Sequence, residues 1–177
     1  MSMTFIQHTE LTSTQASITF SSIPNTFTDL YLVLSFRSTE GFTGSNAQMS
    51  FNGSSSGYST RLLYGTGSGA ASATGGSTII NWSPTTSGGG STANTFGNAS
   101  IYIPNYTSSN AKSVSIDAVA ENNATASRQD INAGLWNNSA AISSISFTWE
   151  QSTNFAIGSS ATLYGITRGS TPGVTVS

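Results

Sequence analysis

The chain has 177 residues, no cysteine, a net charge of −2 and only 7% charged side chains. Its 5 Lys and Arg residues are scattered, which excludes the positive face that nucleic acid or an anionic membrane surface requires. A disulfide scaffold is excluded as well, and an aromatic content of 10% argues against disorder.

The missing charge is replaced by Ser, Thr, Asn and Gly, which suit turns, strand faces and caps and are poor in helix interiors. A chain of this length is most simply one domain. No apolar run approaches the ~18 residues of a membrane span. The first ten residues, MSMTFIQHTE, have neither a basic start nor an apolar stretch, so no secretory signal is expected.

Residues 1–15 are polar around Phe5 and Ile6 and read as an N-terminal arm or a first strand. Residues 16–20 alternate through Ile18 and Phe20 as a strand, and Pro24 marks the turn that follows. Residues 28–37, TDLYLVLSFR, give the clearest signal. Leu30, Leu32, Leu34 and Phe36 share one face, and Tyr31, Val33, Ser35 and Arg37 share the other. The second face is mixed, so Tyr31 and Val33 are expected under a covering loop or a neighbouring subunit. Arg37, out of phase with the core, is a candidate rim contact.

A loop over 38–46 leads to a short strand with Met49 and Phe51, closed by the turn signal Asn52-Gly53. Residues 58–64, YSTRLLY, form the next strand. Residues 65–90 are rich in Gly, Ser, Ala and Thr and hold a short island around Trp82, read as an edge strand. Further strands are expected over 96–103, 112–121, 129–136, 142–149 and 161–168. Within 129–136 the expected inward set is Ile131, Ala133 and Leu135. The sandwich domain thus runs over 16–168, followed by a loose tail, 169–177. Ile23-Pro24-Asn25 and Ile103-Pro104-Asn105 echo each other, each near a long alternating strand. No segment shows helical periodicity. The expected fold is an all-β antiparallel sandwich, jelly-roll-like, with about eight to ten strands.

Chemistry-bearing constellations are sparse. His8, the only histidine, lies near the N-terminus and reads as solvated rather than as part of a nucleophilic triad. A structural zinc site wants four Cys or His ligands, and no clustered acidic loop suggests calcium. Asp117 and Glu121 fall on one strand face roughly 13 Å apart, beyond the ~5–10 Å of a glycosidase pair. A glycan-active enzyme would need Asp130 to converge with them from another strand. No catalytic residue, metal site or cofactor is assigned, and the chain is read as no enzyme. Among the aromatics, Trp149 reads as core. Tyr58, Tyr64, Trp82 and Trp136 are candidate interface or ligand contacts, because flat rings can stack on sugars or pack against a neighbour. Asn-x-Ser/Thr sequons at Asn52, Asn81, Asn98, Asn105, Asn123 and Asn137 match chance in so Ser- and Thr-rich a chain and are not read as glycosylated.

Several stretches together carry a resemblance: SITFSSIPNTFTDLYLVLSFRS, FGNASIYIPNYTSSNAKSVSIDAVAENNAT, AISSISF and NFAIGSSATLYGI. In this order they resemble a group of small β-rich virion structural proteins of tailed bacteriophages, of the cyanophage and aquatic-phage type. The resemblance spans about residues 16–168 and implies a virion location after assembly in a host cytoplasm. It brings no catalytic residues. It implies a virion structural role without defining it, and the role expected for this chain is that of a capsid decoration, or cement, protein on the outer head surface that stabilises the shell. The expected partners are copies of itself, as a trimer, and the major capsid protein or another virion protein. The alternative is a receptor-binding module of a tail or head fibre that recognises a host surface glycan.

Overall fold

A computed structural model describes residues 1–121 and 127–168, with the backbone alone at 81–86. The described residues form twelve strands and no helix. Eight strands make one sheet. In spatial order they are β1 (Ser2–Glu10), β12 (Ser160–Thr167), β3 (Asp29–Phe36), β8 (Gly97–Ile103), β9 (Lys112–Ala120), β10 (Arg128–Trp136), β5 (Tyr58–Gly65) and β6 (Ala70–Thr74). Four make the other: β2 (Ile18–Phe20), β11 (Ile145–Trp149), β4 (Gly44–Phe51) and β7 (Ile80–Ser87).

The pairing is that of a long antiparallel ribbon wound over two layers. β1 pairs with β12, β2 with β11, β3 with β8 and β4 with β7, and successive pairs alternate between the sheets. The β12–β3 and β11–β4 ladders join those pairs side by side. This is a jelly roll. The strand number exceeds the expected range because two hairpin-like insertions are added. β5 and β6 leave between β4 and β7, β9 and β10 leave between β8 and β11, and all four extend the larger sheet beyond β8. Residues 2–10 are therefore a first strand, not a free arm. Their β1 ladder with β12 carries a bulge between Phe5 and Gln7. The 169–177 tail lies outside the described residues.

The core lies between the sheets. Leu30, Leu32, Leu34 and Phe36 of β3 are all buried, as the alternation of 28–37 predicts. They face Phe20, Met49, Phe51, Ile145, Phe147 and Trp149 of the smaller sheet in one apolar cluster. Phe36 packs edge-on against Phe147, Trp149 and Phe155. Each of these side chains adds roughly 1.5–3 kcal/mol when fully buried.

The turns are built as firmly as the strands. Asn52 and Gly53 both adopt positive φ, at 52° and 67°, and Ser54 N–H donates to the Phe51 carbonyl at 2.9 Å. That is the geometry Asn-Gly permits at low cost. The Asn52 side chain clamps the 141–144 segment: its Oδ1 accepts from the Ser143 and Ser144 amides and its Nδ2 donates to Ala141 O. The two Ile-Pro-Asn turns prove to be neighbours. Buried Tyr106 donates its hydroxyl to the Pro24 carbonyl, tying the second turn to the first.

Candidate interaction surface

The register of the larger sheet decides what its outer face displays. Phe5 sits opposite Tyr164, Tyr164 opposite Tyr31, and Tyr31 opposite Tyr102. One aromatic row thus crosses β1, β12, β3 and β8 at the ~4.8 Å spacing of neighbouring strands. Phe5 and Tyr164 meet edge to face with centroids 6.3 Å apart. Phe5 is 59% exposed, Val33 in the next row is 46% exposed, and Met3 beside Phe5 is also exposed. Tyr31, Tyr102 and Tyr164 are half-buried.

A polar corner closes one end of the row. Asp29, buried at the start of β3, accepts from the Tyr102 hydroxyl at 3.0 Å and the Asn105 amide at 2.9 Å. The half-exposed Arg168 lies 3.6 Å from the same carboxylate and donates to Asn105 Oδ1. Burial pushes the Tyr102 hydroxyl pKa up, the Asp29 hydrogen bond and charge push it further, and Arg168 opposes them. The corner is ordered by its own bonds and holds Tyr102 in place.

Further along the same face, the added strands carry a second, aliphatic patch. Ile131 pairs across strands with Leu63, both more than half exposed, with Leu135 nearby on β10. Leu63, Tyr64, Gly65, Ala70, Gln129 and Ile131 line a shallow groove of about 280 Å³.

The residues singled out from sequence fall in different places. Val33 is exposed on the outer face, and Tyr31 belongs to the aromatic row. Arg37 is not a free rim contact: its guanidinium donates to the carbonyls of Thr92, Thr95 and Ser91 and so staples the 91–95 loop. Tyr58 and Trp136 are core, not contacts. They stack at 6.2 Å with Phe51 beside them, and the Tyr58 hydroxyl accepts from the Phe51 amide at 2.8 Å. Tyr64 lies at the margin with the Arg128 guanidinium 3.7 Å over its ring. Trp82 pairs through its backbone with Ala47, and its side chain is outside the described residues. Sequence reasoning missed Phe5, Tyr102 and Tyr164. Their signal was a phase opposite to the core residues of their strands, which places them outward without placing them together.

The inward set of β10 is the reverse of the expected one. Asp130, Asn132, Gly134 and Trp136 point in, and Ile131, Ala133 and Leu135 point out. A Cβ at Gly134 would come within 3.1 Å of the Ile80 side chain, so a larger residue there requires Ile80 to shift. Asp130 is buried against Arg128, with Nη2 to Oδ1 at 2.6 Å; burial raises its pKa and Arg128 lowers it. Asp117, opposite Ile131, lies on the outer face. Asp117 and Asp130 are therefore on opposite faces of the sheet and do not converge. His8 is exposed with Nδ1 2.8 Å from the Thr162 hydroxyl. Among the described residues no three His, Cys, Asp or Glu side chains gather as a metal site.

The fold and this face define a jelly-roll sandwich with an open aromatic sheet face. No protein-family model, curated protein or solved structure matches the chain.

Proposed function

We propose that the chain is a bacteriophage virion structural protein, a capsid decoration protein on the outer head surface. It binds the major capsid protein and copies of itself through the outer face of the eight-stranded sheet. The observation that carries this reading is the row of Phe5, Tyr164, Tyr31 and Tyr102 with exposed Met3 and Val33 beside it. Aromatic side chains and Met are what interface cores are enriched in, and charge is what they lack. A stiff sheet presents them without an ordering cost on binding. Low net charge permits many copies to sit side by side without mutual repulsion.

The test is binding to empty phage heads. Val33→Asp is expected to abolish binding while leaving thermal unfolding unchanged, because Val33 is not in the core. Retained binding by Val33→Asp, or a virion in which the protein is scarce relative to the major capsid protein, would overturn the reading.

The same row favours a second reading, recognition of a host surface glycan by a fibre module. The Tyr31 and Tyr164 hydroxyls and the exposed Arg168 rim the apolar rings, the pairing of flat faces and donors that a sugar requires. Glycan-array binding lost in Tyr31→Ala, with no affinity for heads, would favour it.

A further inference from the structure

A sheet edge is a row of unpaired backbone groups, and folded proteins blunt such rows. Among the described residues, three of the four edges are blunted. β1 carries a bulge, β2 has 3 residues, and β7 contains Pro84 and shifts register against β4. The fourth edge, β6, has none of these devices. Its sequence AASAT holds no charge and no proline, and all five residues are exposed. No Asp, Glu, Lys, Arg or His occurs anywhere between Arg61 and Lys112.

The hydrogen bonds at its two ends set which groups are free. Gly75 N–H donates to the Thr60 carbonyl at 3.0 Å, and Thr66 N–H donates to the Gly69 carbonyl at 3.0 Å. Antiparallel ladders alternate, so the N–H and C=O of Ala71 and Ala73 turn toward β5. Those of Ala70, Ser72 and Thr74 turn away from it, into solvent. The free groups are centred on Ser72. An antiparallel twofold through that residue sets Ser72 opposite Ser72 of a second copy and Ala70 opposite Thr74, which is a set of hydrogen-bonded positions on both sides. Nothing in the five residues clashes or repels under that operation, and the Ser hydroxyls face one another.

We propose that β6 is a self-association edge: two copies of this chain pair β6 to β6 about Ser72 and join their larger sheets. About six main-chain hydrogen bonds form, two at each of the three facing pairs. The Leu63–Ile131 groove of each copy then flanks the join on the outer face. The inference stands apart from the proposed virion role, since it rests on the edge alone.

Sedimentation of the full chain and charge variants at position 72 test it. The wild-type chain is expected to dimerise with rising concentration. Ser72→Lys and Ser72→Asp each place like charges opposite one another and are expected to sediment as monomers, with thermal unfolding unchanged at concentrations where the wild-type chain is also monomeric. Their mixture is expected to dimerise, because Lys then faces Asp. Amide exchange should slow with concentration at Ala70, Ser72 and Thr74 and stay constant at Ala71 and Ala73. A wild-type chain that stays monomeric overturns the proposal. So does a mixture that stays monomeric, or dissociation by Leu63→Ser with Ile131→Ser when Ser72→Lys leaves the dimer intact.

Discussion

The two halves of the larger sheet follow opposite rules. In the jelly-roll half, β12, β3 and β8 turn Leu163, Leu30, Leu32, Leu34, Phe36 and Ile101 inward and Tyr164, Tyr31 and Tyr102 outward. In the added half, β10 and β5 turn Asp130, Asn132, Thr60, Tyr58 and Trp136 inward and Ile131, Leu135 and Leu63 outward. Both are regular strands of the same sheet. The difference teaches that alternation identifies a strand but not its buried side. The buried side is whichever one the second layer covers, and over β10 and β5 that layer is β7, with Ile80 against Gly134.

The comparison breaks most visibly at Trp136. Its side chain is 1% exposed between Tyr58 and Phe51. Trp136→Ala is expected to cost about 3–5 kcal/mol in denaturant unfolding. A loss below the cost of a surface change would mean that the added half is not packed as described.

Lys112, buried at the start of β9, is next. Its ammonium donates to the carbonyls of Ser108 at 2.8 Å, Asn110 at 2.5 Å and Asn138 at 3.4 Å. Lys112→Met leaves those acceptors short of a donor and is expected to cost about 1–3 kcal/mol at neutral pH. Burial lowers the Lys112 pKa from its ordinary 10.5. The folded chain thus binds fewer protons than the unfolded one between the lowered value and 10.5. Stability relative to Lys112→Met should therefore rise as pH climbs through that window and fall as pH drops through the lowered value. Buried Tyr58 and Tyr106, whose pKa values are raised by burial, lose stability above about 10 in both proteins and cancel in the difference.

Asn132 sharpens the comparison in the opposite direction. Among the described residues neither atom of its buried amide has a hydrogen-bond partner, and the Thr60 hydroxyl of the neighbouring strand is likewise unpartnered. Asn132→Leu removes the unmet amide at similar volume, so a gain of about 1 kcal/mol is expected by thermal unfolding. The smallest effect belongs to the other face of β10. Ile131→Ser should shift stability by no more than about 0.5 kcal/mol, despite removing an isoleucine from the middle of a strand.

Most strands were legible because a half-buried strand writes period two into its residues, as 28–37 and 112–120 do. Two features were misread for one reason. The sequence points Trp136 outward because Ile131 and Leu135 are the more apolar set, and it does not bring Phe5, Tyr31, Tyr102 and Tyr164 into one row. Hydrophobicity ranks residues within a strand, whereas burial depends on a layer contributed from elsewhere in the chain. β6 reads as loop in the sequence because Ala, Ser and Thr between glycines carry no alternation.

By itself the sequence determined that the chain is all-β, where most of its strands lie, and that Leu30, Leu32, Leu34 and Phe36 enter a core. Those are local consequences of side-chain period and turn chemistry. The tertiary structure alone decided how the expected jelly-roll-like sandwich is paired and that four added strands extend its larger sheet. It decided that Arg37 and Asn52 bind loops of their own chain, and that four aromatics from distant segments line one open face. These outcomes depend on strand register and on which sheet covers which, and both arise from pairings between residues far apart in the chain.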